Sequence, residues 1–239
     1  MSTNDWIKLD LHIHTLEDPK DKLDYSAREL LARARRLGFD VLAITLHDAV
    51  FDPPAIFEAA SRLRILLIPA AEMRLEGADV ILLNVSRRDV DGLHTFADLR
   101  RLRARRGDSL FTIAPHPFYV FGGSIGKRLL AEIDCFDAIE CCHFHKGIFN
   151  PNRRAASVAQ QFGKPLLATS DAHRLSAFGH HYTSIPRPPE LTPEALFARL
   201  REGELRIHSP PATFAEILST FYFVFLKHPF LVKFEHEHQ

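Results

Sequence analysis

The sequence predicts an α/β barrel, and three observations carry that expectation. Short apolar runs alternate with stretches of helical period, the connections between them are brief, and histidines and carboxylates recur where the apolar runs end. Such alternation builds a sheet covered by helices, and about seven strand–helix units in 239 residues suit a closed barrel better than an open sheet.

The elements follow in order. Residues 7–12 read as the first strand. A helix over 26–37 opens with a capping box between Ser26 and Glu29 and stops at Gly38. Residues 41–45 (VLAIT) are a buried strand, and 53–63 a helix with proline in its first turn. Strands are expected over 66–72, 80–85, 110–114, 138–141 and 166–168. Helices are expected over 92–105, 124–133 and 152–162, and over 192–202, where Thr-Pro-Glu begins the helix and Gly203 ends it. Pro210 and Pro211 then mark a boundary, giving a barrel over 1–209 and a Phe-rich helical extension over 210–239. That extension either packs on the barrel or makes an interface. Its stretch 221–226 is apolar all round, which suits a membrane surface or a second copy of the chain.

Composition narrows the function classes. Apolar residues make up 46% and charged residues 25%, enough to bury a core, which argues against disorder as the main state. Thirty basic side chains balance thirty acidic ones, so no overall basic field exists to attract nucleic acid. The block Arg100, Arg101, Arg103, Arg105 and Arg106 reads as a solvated helix face, with a local nucleic-acid patch as the rival reading. Three cysteines, two of them adjacent, cannot form a disulfide framework, and a cytoplasmic location is expected. The N-terminal stretch shows no signal-peptide pattern, and no run reaches the roughly 18 apolar residues that span a bilayer.

In a parallel barrel the chemistry gathers at the C-terminal ends of the strands. There the chain places His12 and His14, then His47 and Asp48, Glu72, His116, and Asp171 and His173. Side chains two apart on a strand point the same way, so paired imidazoles can reach one ion. Imidazole and carboxylate together form a donor set for zinc, manganese or iron, and Glu72 has two oxygens with which to bridge a pair of ions.

The motifs DLHIHT, AITLHD, IPAAEM, APHP and ATSDAH, in this order, resemble those of the polymerase-and-histidinol-phosphatase (PHP) family of metal-dependent phosphoesterases. The resemblance covers most of residues 9–207. It implies a distorted seven-stranded (β/α)7 TIM-like barrel of the PHP type holding two or three divalent metal ions. It further implies a first site of His12, His14, Glu72 and Asp171, and a second of Glu72 and His116. A third would use Glu17 or Asp18 with His47 and His173. Two departures stand out. Leu46 replaces a polar residue beside His47, implying a lost outer contact, and Asp79 stands where the family tends to place a histidine ligand. His143 or His145 could compensate at that second site.

The function implied is hydrolysis of a phosphate ester, on a small phosphorylated metabolite or nucleotide, by a metal-activated water. No nucleophilic Ser or Cys motif is needed. Asp48, His145 and His173 are the candidate proton donors, and Arg74, Lys146 and Arg153 the candidate phosphate-binding cations. A rival reading is an exonuclease on short DNA or RNA. A third, from another class, is a catalytically weak regulatory or membrane-recruited module, motivated by Leu46, Asp79 and the Phe-rich tail.

Overall fold

The computed structural model describes residues 6–119, 122–143, 145–146 and 150–213. The Phe-rich segment from 214 onward, with the interface or membrane-surface role expected of it, lies outside the described residues. Among those described, no helix is long and apolar enough to cross a membrane.

Nine strands form one sheet: β1 (Trp6–Asp10), β2 (Val41–His47), β3 (Leu66–Leu75), β4 (Ala78–Leu83), β5 (Phe111–Ala114), β6 (Ala138–Cys141), β7 (Leu166–Ala168), β8 (Tyr182–Pro186) and β9 (Arg206–His208). Their spatial order is β7-β6-β5-β4-β3-β2-β1-β8-β9. The sheet curls until its ends meet: Thr183 of β8 donates its hydroxyl to the Ala168 carbonyl and accepts the Ala168 N–H, both at 2.9 Å. The result is a nearly closed α/β barrel. Among the described residues six helices accompany it: α1 (Ala27–Leu37), α2 (Pro54–Arg62), α3 (Arg87–Val90), α4 (Phe96–Arg106), α5 (Asn152–Gln161) and α6 (Pro193–Glu202).

The sheet departs from the expected seven parallel strands. β3 turns directly into β4 through Glu76 and Gly77, whose φ of 48° and 85° are those of a two-residue hairpin turn, so β4 runs antiparallel to both neighbours. β8 and β9 add two antiparallel strands that the sequence reading missed. In β8 only Thr183 and Ile185 are buried, and β9 is exposed throughout, so neither carries a strong apolar signal. The helix expected over 124–133 is instead a pair of 3-10 turns, Gly126–Leu130 and Ile133–Cys135. Gly122, Gly123 and Gly126 take positive φ, which breaks helical propagation.

Alternation by two decides what the barrel holds. Inward positions are apolar toward the bottom: Ile7 and Leu9 of β1, Val41 and Ala43 of β2, Ile68 and Ala70 of β3, Phe111 and Ile113 of β5. Helix α6 closes this end, inserting Leu196, Phe197 and Leu200, with Phe197 stacked on Phe111 at 5.2 Å between ring centroids. Continuing upward at the same parity, the inward positions become His47 on β2, Glu72 on β3 and Glu140 on β6. The outward residues Leu42, Ile44 and Leu46 pack against α1 and α2. Leu46 is therefore a core residue on the outside of the barrel, and its side chain removes no contact from His47.

Candidate metal centre

The buried carboxylate of Glu72 organises the mouth. Its Oε1 lies 3.5 Å from His12 Nε2 and 3.4 Å from His116 Nε2. Its Oε2 lies 3.4 Å from His14 Nε2 and 3.3 Å from His47 Nε2. Asp171 Oδ1 is 3.3 Å from His12 Nε2 and 3.4 Å from His14 Nε2, and those two ring nitrogens stand 3.2 Å apart. Three donor groups result: His12, His14 and Asp171; His12, Glu72 and His116; and His14, His47 and His173.

These spacings fit divalent ions. Ligands about 2.1 Å from a tetrahedral ion stand about 3.4 Å from one another, the separation seen along these edges. The far side of each ring supports the same reading. His12 Nδ1 lies 3.3 Å from both oxygens of Glu140, His14 Nδ1 3.1 Å from Asp18 Oδ2, and His47 Nδ1 2.9 Å from the same oxygen. A carboxylate accepting from Nδ1–H leaves the Nε2 lone pair facing the cluster, the usual device behind a metal-binding histidine. Asp18 and Glu140 are thus orienting groups. Asp18 was expected as a ligand, but its Oδ2 also accepts the His47 N–H, and its Oδ1 accepts those of Lys20 and Asp21. Glu17, the alternative, turns away and accepts the Ala27 N–H at the start of α1.

Charge in the cluster is balanced by protons. Burial alone would lower His12 and raise Glu72, yet the Asp171, Glu140 and Glu72 charges hold His12 well above the usual imidazole range, and His12, His116 and His14 hold Glu72 well below the carboxylate range. His116 and His173 are each pushed up to about 9, their carboxylate neighbours outweighing burial. Imidazoles that take up protons beside buried carboxylates form a site where cations can displace those protons. His116 and Asp171 adopt φ of 29° and 45°, a region that non-glycine residues seldom occupy and that clusters at functional sites.

Several expected roles are redistributed. Asp79 is 6% exposed, but its Oδ1 pairs with Arg74 Nε at 2.5 Å, and it belongs to none of the three donor groups. The pair engages both Asp79, expected as a ligand, and Arg74, expected to bind phosphate. Asp48 accepts the Arg74 N–H at 2.7 Å on one oxygen and pairs with Lys20 through the other, so it braces the ends of β2 and β3 rather than offering a proton. His145 faces Ser209, with Nε2 3.2 Å from its carbonyl; His143, two residues earlier, faces the mouth, with Nδ1 4.0 Å from Asp171 Oδ2. Lys146 donates to the Ala212 carbonyl at 3.1 Å, and Arg153 is exposed on the first turn of α5.

Two functional positions escaped sequence reasoning. Asp21 Oδ2 lies 3.1 Å from His173 Nε2 and 4.0 Å from His47 Nδ1, but in an acid-rich loop without periodicity nothing distinguished it from Glu17 or Asp18. Glu140 could have been found, since it is a lone carboxylate in the apolar strand 138–141.

Nearby surfaces add context. A cleft of about 1060 Å³, lined by Leu46, Asp48, Phe51, Met73, Arg74 and Leu93, includes neighbours in sequence of His47 and Glu72 but none of the donor residues themselves. The arginine block on α4 is paired with acids: Arg100 with Glu132 and Asp134, Arg101 with Asp98, Arg103 with Asp137, Arg105 and Arg106 with Asp89.

The PHP-associated family model matches residues 149–205. A two-domain protein from Bacteroides vulgatus ATCC 8482, described as containing a predicted PHP-like metal-dependent phosphoesterase, superposes with a TM-score of 0.65 at 18% identity, over 84% of this chain and 64% of that one. These findings support the PHP family. The fold is also similar to that of PsfC from Pseudomonas syringae PB-5123, with a TM-score of 0.68 at 18% identity over 95% of this chain and 99% of that one. It is similar too to that of the lesion-specific endonuclease Q of Pyrococcus furiosus, at 0.61 and 13% over 91% and 66%. The chain thus spans less than two thirds of the Bacteroides protein and of endonuclease Q. No curated protein matches it.

Proposed function

We propose that the chain is a metal-dependent phosphoesterase acting on a small phosphorylated substrate. The observation that carries this is Glu72, each of whose oxygens faces two imidazole Nε2 atoms at 3.3–3.5 Å, the arrangement of a bridging carboxylate. His12, His14, Glu72 and Asp171 would hold one ion, Glu72 and His116 a second, and His47 and His173 a third beside Asp21. The mixed nitrogen and oxygen donors suit zinc, manganese or iron. Bound ions supply Lewis-acid charge for the phosphoryl oxygens and lower the pKa of water from about 16 toward about 7.

The chain's own groups do the rest. Glu140 and Asp18 keep protons on the far ring nitrogens. His143, half-buried at the mouth, stands where a proton can pass to the leaving oxygen. Endonuclease Q, solved by others with a 27-mer duplex carrying an abasic lesion, keeps a nuclease in view. The acid-paired arginines of α4 favour the smaller substrate.

The test compares wild type with His12→Ala and Asp171→Ala on an aryl phosphate and on labelled oligonucleotides, at matched circular dichroism. Phosphate release lost in both variants, with oligonucleotides left intact by wild type, supports the reading. Equal release by the variants refutes it, and shortened oligonucleotides move it to the nuclease.

A further inference from the structure

The segments that carry ligands after β1 and β7 meet with little regular pairing. They share one bridge, Ile13 with Ala172, and two flanking hydrogen bonds, His14 N–H to Ala172 O at 3.2 Å and Asp171 N–H to His12 O at 2.9 Å. Asp10 adds a side-chain tie, its Oδ1 accepting the Ser170 N–H at 3.1 Å. One further side chain spans the seam. The Tyr25 hydroxyl reaches both the His14 carbonyl and the Ala172 carbonyl, the latter at 2.6 Å. His14 is itself a donor residue, and Ala172 lies between Asp171 and His173.

We propose that the Tyr25 hydroxyl is a positioning group of the metal centre, locking the ligand segments after β1 and β7 against each other. The inference rests on the metal reading above. A phenol has one proton and can share it between two carbonyls. In this buried site the Ala172 carbonyl also accepts the His14 N–H, whereas the His14 carbonyl takes its side-chain hydrogen bond from the phenol. Tyr25 is only 2% exposed and precedes Ser26, the residue that caps α1, so the ring starts from a fixed backbone. Its own carbonyl accepts the Leu16 N–H at 2.7 Å, closing the base of the loop that bears Asp18 and Asp21. One residue therefore touches the main chain of His14, the turn between Asp171 and His173, and the loop whose carboxylates orient His14, His47 and His173.

Tyr25→Phe keeps the ring and its packing and removes one oxygen. The full chain, loaded with manganese or zinc, is mixed with excess chelator, and ion release is followed with a metal-sensitive dye. Melting of the chelated protein is measured in parallel. Leu31→Ala, in the same apolar cluster and 1% exposed, serves as the purely structural control. Tyr25→Phe should release ions about tenfold faster or more, the scale of other outer contacts to metal ligands. Leu31→Ala should melt lower yet release ions at the wild-type rate. Wild-type release by Tyr25→Phe, or equal acceleration by Leu31→Ala, overturns the inference alone. A wild type that takes up no ion overturns the metal reading and the inference together.

Discussion

Glu140→Gln isolates the orienting role of a carboxylate that touches no proposed ion. Glu140 is fully buried. Its Oε2 accepts the His116 N–H at 2.7 Å, its Oε1 accepts the Thr169 hydroxyl, and both oxygens lie 3.3 Å from His12 Nδ1. Glutamine keeps the shape and has one oxygen, which must stay with the His116 N–H because that group can only donate. The amide NH2 then takes the other place. Thr169 can turn to accept from it. His12 Nδ1–H then shares the one remaining oxygen with the His116 N–H and faces an NH2 at the same distance, and accepting from that NH2 moves its proton to Nε2, the atom aimed at His14, Glu72 and Asp171. A first-cluster ring would thus lose its lone pair. Changes of this kind cost roughly 10–100-fold in metal affinity, which is about 1.4–2.8 kcal/mol. Chelator competition on the loaded variant measures this, with circular dichroism showing that the fold persists. Wild-type ion affinity in Glu140→Gln would refute the argument that carboxylates behind the rings set their tautomers.

Other expectations follow from single contacts. Leu46→Ala should lose about 2–5 kcal/mol in urea unfolding, as for other buried leucines, with ion content by elemental analysis unchanged, because the side chain packs on the helices. Asp137 accepts from Arg103 at 2.7 Å, the Thr112 N–H at 2.9 Å and Arg201 at 3.2 Å, so Asp137→Ala should cost about 1.5–3 kcal/mol by leaving two half-buried arginines without their carboxylate. Burial alone would raise the Asp137 carboxyl, but Arg103 outweighs it and lowers it below its ordinary value. The unfolded chain then binds the proton more readily in acid. The stabilisation is complete above about pH 4, the unfolded carboxyl value, and is lost as pH falls through the folded one. Acid titration of wild type against Asp137→Asn should show that difference shrinking. Chelation should lower the melting temperature of wild type, since an ion at 100 times its Kd stabilises by about 2.7 kcal/mol. An unchanged melting curve would count against a resident ion.

The donors were legible because their chemistry is local. His12 and His14 share a strand end, Glu72 closes an apolar run, and Asp171 and His173 repeat the spacing of two, so type and position sufficed. Helices with capping boxes or glycine stops, such as α1 and α6, were legible for the same reason. The outer contacts were not. Asp18 and Asp21 sit in one acidic loop, and only the chain reversal closed at Tyr25 decides which faces two rings and which faces His173. Nor did sequence show that Arg74 would meet Asp79, because that contact depends on β4 turning back along β3.

By itself the sequence determined the alternating α/β plan and the histidines and carboxylates at the strand ends. These follow from periodicity and residue chemistry within a few positions of chain. The tertiary structure alone decided the nine-stranded, partly antiparallel sheet, the outward turn of Leu46, the pairing of Arg74 with Asp79, and the carboxylates that stand behind the rings of His12, His14 and His47. Those are contacts between segments far apart in the chain, and their geometry exists only once the barrel has curled on itself.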